Sequence, residues 1–459
     1  MKITETVQKG VKDALIKTGL SYLNKDPEKN VDKIFDIIKK ALKDPGSISR
    51  VDFVQNYYHN NKATYDYIQN ILKTVNKKCL DKFFVNFLAN AAWFGVPKRG
   101  KYLKENDIKV PFVILLSPSM RCNLRCTGCY AATYSKKDDI PYEEVDRIIG
   151  EARDLGVYFF VILGGEPFIN SYMLDIYKKY DDCMFVPFTN GTLFTDELAD
   201  KIADLGNVAP MFSLEGFEKE TDARRGPGTF NKVMHGMDLL RERGVVFGVS
   251  SATARFNFET VTSKKFIQML IDKGAKLSWY FIYMPVGVGV DVNNMLTPEE
   301  RIELGVRTNE IRTTMPYFCI DFFNDAPHVG GCISGKYYCH INSKEQVEPC
   351  IFAHFSDTNI KGKPLIEAFK SPLFKELRSR QPFNKNLLMP CMMIDNPNQI
   401  REIVKVTGAQ TTDPSAENMI KDPVLMGQLD KLAADFKPAA DKRWKEHFHE
   451  TGNYSMSKG

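Results

Sequence analysis

The sequence has no apolar run approaching the ~18 residues that a membrane-spanning helix needs. Its opening stretch, MKITETVQKGVKDALIKTGL, lacks the apolar core of a secretory signal. These two absences predict a cytoplasmic protein. Charge of one sign is also scarce. The 62 Lys and Arg against 57 Asp and Glu leave a formal +5 over 459 residues, which argues against a nucleic-acid scaffold but not against an anionic ligand. No internal repeat or low-complexity tract stands out. The ten cysteines are too unevenly placed for a disulfide framework, and their metal-like spacings fit a reducing compartment. The length and a hydrophobic content of 43% predict two or three packed domains.

The informative residues are Cys122, Cys126 and Cys129 in SMRCNLRCTGCYAATY, spaced C-x3-C-x2-C after the strand-like VPFVILLSPS. A zinc site or a complete four-cysteine cluster wants a fourth ligand nearby, and the next cysteine is Cys183. Three thiolates can hold three corners of a [4Fe–4S] cube and leave one iron open. One β/α unit later, VYFFVILGGEPF ends in Gly164, Gly165, Glu166 and Pro167. Glycines let backbone approach a ligand closely, and a carboxylate suits an ammonium.

Six short apolar stretches rich in Val, Ile, Phe or Tyr read as strands: 110–118, 157–164, 183–189, 208–214, 245–254 and 276–284. Amphipathic segments such as TDELADKIADLG separate them. The alternation predicts an α/β fold with parallel strands and right-handed crossovers, a (β/α)6 partial TIM barrel, binding ligands at the carboxyl ends of its strands.

Taken in order, the cysteine motif and GGEP resemble the radical S-adenosylmethionine (SAM) superfamily. Phe188-Thr189-Asn190-Gly191-Thr192 and Ser213-Leu214-Glu215-Gly216 with Thr221-Asp222-Ala223-Arg224-Arg225-Gly226 are similar to its TNG and S-L-D-G…D-x-x-R-G stretches. The resemblance implies a [4Fe–4S] cluster on Cys122, Cys126 and Cys129, with SAM chelating the open iron. It implies a SAM pocket at Gly164, Gly165, Glu166, Pro167, Asn190, Ser213 and Arg225. It further implies reductive SAM cleavage, hydrogen abstraction from substrate under anaerobic conditions, and an electron donor such as flavodoxin or ferredoxin. Glu215 stands where aspartate is usual. Gly128 stands where an aromatic residue is frequent, which turns attention to Tyr283 or Met284 as a frame for the adenine.

Five more cysteines follow the core: Cys319, Cys332, Cys339, Cys350 and Cys391. GGCISGKYYCHINSKEQVEPCIF resembles the first half of a SPASM or twitch domain, with YYCHIN and QVEPCIF as a hairpin and Glu345 replacing the usual glycine. The resemblance implies one auxiliary iron–sulfur cluster on Cys332, Cys350 and Cys391, with Cys339 or Cys319 as the fourth ligand. Two alternatives stay open. One is a zinc site of Cys332, Cys339, Cys350 and His354; the other is a Cys339 merely buried in a strand. The rival function is an iron–sulfur redox or scaffold protein without SAM chemistry, which would have no need of GGEP. The substrate stays open among a peptide or protein side chain, a lipid or isoprenoid, and a small metabolite. Asp321, Asp325 and His328 are acid/base candidates among which the sequence does not choose.

The expected division is an N-terminal helical domain over 1–108, the core over 109–310, a small α+β auxiliary domain over 311–405, and a peripheral helical tail over 406–459. Asp26-Pro27-Glu28 reads as the start of a helix through VDKIFDIIKKALKD, stopped by Pro45-Gly46. A helix over about 76–95 carries Leu80, Phe83, Phe84, Phe87, Leu88, Ala91 and Phe94 as one stripe with lysines beside it. The stripe is either packed on the barrel or set against a membrane surface or lipid-like substrate.

Overall fold

The computed structural model describes residues 2–42, 45–131 and 138–449; the last ten residues of the helical tail expected over 406–459 lie outside the described residues. Strands β1 (Val113–Leu116), β2 (Phe159–Ile162), β3 (Met184–Thr189), β4 (Met211–Ser213), β5 (Gly248–Thr253) and β6 (Leu277–Ile282) pair in parallel in chain order. Each lies within one of the six expected stretches and most are shorter. The apolar residues ahead of them, Val110, Val157 and Val245 among others, are buried core that joins no ladder. Between β1 and β2 the helix Tyr142–Asp154 buries Val145, Ile148, Ile149 and Ala152, the i, i+3, i+4, i+7 stripe of a core-facing helix.

The sheet continues past the six expected strands. β7 (Phe318–Asp321) adds in parallel to β6, and β8 (Tyr338–Ile341) adds in parallel to the other side of β1. β9 (Val347–Glu348) closes that edge antiparallel to β8. Nine strands result, ordered β7-β6-β5-β4-β3-β2-β1-β8-β9. The expected six-stranded (β/α)6 core is present, and the three further strands extend it at both edges, covering the edge that β1 would otherwise present. Instead, the N–H groups of Phe112 and Val113 both donate to Tyr337 O, at 2.8 and 3.1 Å. Glu345 turns the β8–β9 hairpin at φ 61°, the left-handed region that glycine adopts most easily.

Two N-terminal expectations change. The helix begins at Val31 behind Asn30, not at Asp26-Pro27. Pro45 does not simply end it but opens the next helix, Pro45–Asn60, where a missing N–H is harmless. The aromatic stripe is consumed by packing. Phe84 is buried with Leu23 and Ile37 and meets Trp93 edge-on. Phe87 sits edge-to-face on Phe112 and Phe159 at the start of the barrel. Asn86 and Asn90 are buried and donate to the carbonyls of Asp181, Cys183 and Asp182, clamping the helix to the turn before β3. Of the stripe's aromatic residues only Phe83 is substantially exposed, at 38%. Among the described residues no helix is long and apolar enough to cross a membrane.

Candidate functional site

Cys122, Cys126 and Cys129 lie in an irregular loop that leaves the C-terminal end of β1, all three half-buried and free. Burial pushes the Cys122 and Cys126 thiols up, and each is raised further by a neighbouring thiol, Cys122 by Cys126 and Cys126 by Cys129. The three therefore share one small volume. Against burial, the Arg225 guanidinium draws the Cys126 thiol down.

GGEP holds this loop from below. Gly165 N–H donates to Ser119 O at 3.0 Å and Glu166 N–H to Arg121 O at 2.8 Å. A Cβ on Gly164 would come within 2.0 Å of Ser119 O, and one on Gly165 within 2.0 Å of Arg121 O. The two glycines are thus required by the chain that leads into Cys122, a closer demand than approach to a ligand. Pro167 is buried and starts the single turn Pro167–Ile169. Glu166 is 1% exposed, and its carboxylate accepts from Thr189 Oγ1 and Asn190 N–H, both at 2.7 Å, and from Phe168 N–H. Burial nevertheless pushes this carboxyl up to about 7. A cation in reach would favour its ionised form.

Asn190 reaches the cysteine loop itself. Its Nδ2 lies 2.8 Å from Asn123 Oδ1 and 3.7 Å from Cys122 Sγ. Ser213 ends β4 opposite Ser250. Arg225 is not free: its Nε and Nη2 donate to Glu215 Oε1 at 3.0 and 2.5 Å, and Arg224 Nη1 joins the same oxygen. Burial works against the Glu215 charge, but the two guanidiniums outweigh it and hold the carboxyl below its usual range. Glutamate in place of aspartate thus serves as the anchor of an arginine pair beside the thiols.

Two contributors were missed in the sequence, Arg224 as a brace of the loop and Gly287, while Tyr283 was expected. Arg224 braces the loop backbone, its carbonyl accepting from Thr127 N–H at 2.9 Å and its Nε donating to Thr127 O at 3.2 Å. Gly287 is a second close approach, since its Cβ would lie 2.4 Å from Cys129 O. Tyr283 Cε2 would touch a Cβ at Gly128 at 3.5 Å, so the tyrosine stands directly beside the loop. A signal for Gly287 exists in the GVG of MPVGVG; Arg224 and Arg225 are indistinguishable by position.

Cys332, Cys350 and Cys391 gather around a cavity of about 210 Å³, whose wall includes Met284, Phe322 and Phe352. Cys339 is elsewhere. On β8, Tyr338 and His340 share one face and Cys339 takes the other. Burial alone raises its thiol. Cys319 is likewise apart, beside Tyr280. The expectation of Cys339 or Cys319 as a fourth ligand is corrected on these grounds. The zinc alternative loses Cys339 on the same grounds, and its His354 stands 3.6 Å from Glu348 Oε2, beside the buried His340–Glu348 pair and not at the cavity. Among the described residues no three His, Cys, Asp or Glu side chains converge on a single metal ion. Asp321 caps the turn after β7 through Phe323 and Asn324 N–H, and Asp325 pairs with Arg312 at the wall of the same cavity.

The donor sets fit their implied groups. The first offers three half-buried thiols on one loop, a guanidinium and a buried carboxylate. The second offers three thiols around a mostly apolar cavity, which suits a cluster with one position not held by cysteine.

Comparison with known proteins agrees with this geometry. The Radical SAM superfamily model matches residues 116–261. The AdoMet-dependent heme synthase of Methanosarcina barkeri is 25% identical over 58% of this chain and 85% of its own length. The mycofactocin maturase MftC of Mycolicibacterium smegmatis is 27% identical over 60% of this chain and 75% of its own. In fold, the chain is similar to Streptococcus suis SuiB bound to S-adenosylmethionine, with a TM-score of 0.55 and 20% identity, over 65% of this chain and 76% of that one. Residues 116–261 match the radical SAM superfamily, and the relatives support an enzyme of this superfamily, with the [4Fe–4S] cluster and S-adenosylmethionine that the family implies.

Proposed function

We propose that Cys122, Cys126 and Cys129 bind the catalytic cluster, that Glu166 and the Asn190 turn receive SAM beside it, and that Cys332, Cys350 and Cys391 bind a single auxiliary cluster. When bound, cluster and SAM supply a 5′-deoxyadenosyl radical for hydrogen abstraction. The chain's own residues do the rest. Arg225, pinned by Glu215, places positive charge beside Cys126 and favours its thiolate form. Glu166, ionised, offers a buried acceptor to the SAM ammonium. Arg224, Gly164 and Gly165 fix the loop so that the thiols need not reorganise on loading.

The observation that supports the substrate reading is an aromatic wall that runs into the cavity of the second cysteine set, which Trp279, Phe322 and Phe352 line. Phe188, Trp279, Phe281 and Phe322 follow one another at ring separations of 5.5, 5.8 and 5.1 Å. Phe352 lies 6.3 Å from Phe281. Trp279 Nε1 is buried with no acceptor, a donor ready for a ligand. Such a wall suits a flat apolar ring carrying an acceptor, and we read the substrate as a tetrapyrrole, the class that the heme-synthase relatives suggest. Anaerobic titration with haem should quench Trp279 emission saturably, and the saturable part should vanish in Trp279→Phe. Quenching that is linear, or unchanged in the variant, removes the tetrapyrrole reading and favours a peptide, as the mycofactocin maturase suggests.

For the auxiliary site, reconstituted wild type should carry more iron than one cube. Cys332→Ala with Cys350→Ala should lose the excess while the first cluster and 5′-deoxyadenosine formation with dithionite survive. Only four irons in the wild type would refute the second cluster.

A further inference from the structure

We propose that Tyr338 sets the reduction potential of the auxiliary cluster by donating a hydrogen bond to one of its ligand sulfurs, Cys350 Sγ. The inference rests on the reading of Cys350 as an iron ligand. Tyr338 Oη lies 2.8 Å from Cys350 Sγ, with both residues buried. That is short for a bond to sulfur, which is a large and weak acceptor as a thiol and a good one as a thiolate.

The tyrosine is held to this geometry from several sides. Its backbone is paired with Val113 in the parallel ladder between β8 and β1. Its carbonyl accepts from Gly335 N–H at 2.9 Å. Its ring packs edge-on to Phe322 at 6.1 Å, and it lines the cavity with Cys332 and Cys391. Because Tyr338 faces the cavity, the intervening Cys339 faces away. One register therefore accounts both for the missing fourth cysteine and for the phenol at the sulfur.

The consequence is electrostatic. Reduction adds one negative charge to a cluster, and hydrogen bonds to its sulfurs are among the factors that fix its potential. An O–H aimed at a ligand sulfur stabilises the reduced form more than the oxidised one, and low local dielectric enlarges the difference. Tyr338 therefore raises the potential. The catalytic set has a weaker counterpart, Asn190 Nδ2 at 3.7 Å from Cys122 Sγ, so a change at Tyr338 should act on one cluster alone.

Tyr338→Phe keeps the ring and removes only the donor. It should retain the iron content of both clusters, and EPR-monitored redox titration should show a lower midpoint for the auxiliary signal. At fixed potential the reduced-to-oxidised ratio should fall about tenfold, which for a one-electron couple is about 59 mV. The catalytic cluster's midpoint and dithionite-driven SAM cleavage should not move. An unchanged auxiliary midpoint in a variant with full iron overturns the proposal, as does an equal shift of both clusters. If the variant loses auxiliary iron, the wild type decides. Its reduced auxiliary signal should show an exchangeable proton coupling by ENDOR in H2O that disappears in D2O, and absence of that coupling overturns the proposal. A wild type with only four irons overturns both this inference and the auxiliary cluster on which it rests, whereas full iron with an unmoved midpoint overturns this inference alone.

Discussion

Replacing Cys122, Cys126 and Cys129 together by alanine should reduce 5′-deoxyadenosine formation to the uncatalysed background, with dithionite as reductant and SAM in excess. The iron bound at the auxiliary site should remain, so that iron per chain falls by about one cube and not to zero. The reason lies in how the two sets are held. The first loop hangs from β1, GGEP and Arg224, whereas Cys332, Cys350 and Cys391 are placed by β7, β8 and the segment around residue 390. Among the described residues none bonds both sets of sulfurs directly. Indirect links run through Tyr283 and Met284, the one beside Gly128 and the other in the cavity wall, and through the ring contact of Tyr130 with Phe352. Effects on the two sites should therefore be nearly additive. Residual cleavage in the triple variant would move the assignment away from these cysteines, and loss of all iron would mean that the two sites assemble as one.

The parts of this site that were legible in the sequence are those carried by local spacing. The cysteine triplet, GGEP and the TNG turn each sit at the end of a strand whose apolar run is visible, and those ends come together as parallel strands require. What was not legible depends on contacts between distant residues or on the direction of a side chain. Cys339 is the clearest case. All four residues of β8 are buried, so the in–out alternation that would reveal its direction leaves no trace in hydropathy. Pairing of β8 with β1 joins residues more than two hundred positions apart, and no pattern within either strand announces it. Glu215 is similar. By spacing alone it is a mild departure from aspartate, yet its longer side chain carries two guanidiniums at once. The stripe of residues 80–94 shows the converse. Its phenylalanine count is compatible with an interface or a core, and only the partners, Phe112 and Phe159 for Phe87 and Leu23 and Ile37 for Phe84, separate the two.

The two glycines of GGEP give the other large expected effect, because their role is steric and can be tested without touching a ligand. At Gly165 a Cβ would lie 2.0 Å from Arg121 O and 2.3 Å from Arg121 C, where ordinary contact begins near 3.4 Å. Both atoms are backbone, so no side-chain rotation relieves the clash. Either β2's end or the Ser119–Arg121 segment must move by more than about 1 Å, and Cys122 is the next residue. A displacement of that size at a reacting constellation costs about a hundredfold or more in rate. Gly165→Ala should accordingly lose the hydrogen bond from Glu166 N–H to Arg121 O, load the catalytic cluster poorly, and cut SAM cleavage by at least that factor, with auxiliary iron intact. Gly100→Ala is the control: a Cβ there meets nothing within 4 Å, inside the helix Gly95–Asn106. It should leave both clusters full and raise stability slightly, since alanine loses less chain entropy in a helix. Iron analysis, SAM cleavage and thermal unfolding of the pair decide the matter. If Gly165→Ala loads and cleaves like the wild type, the loop is not fixed by its contact with GGEP, and the close approach would have to be explained by what the glycines leave room for instead.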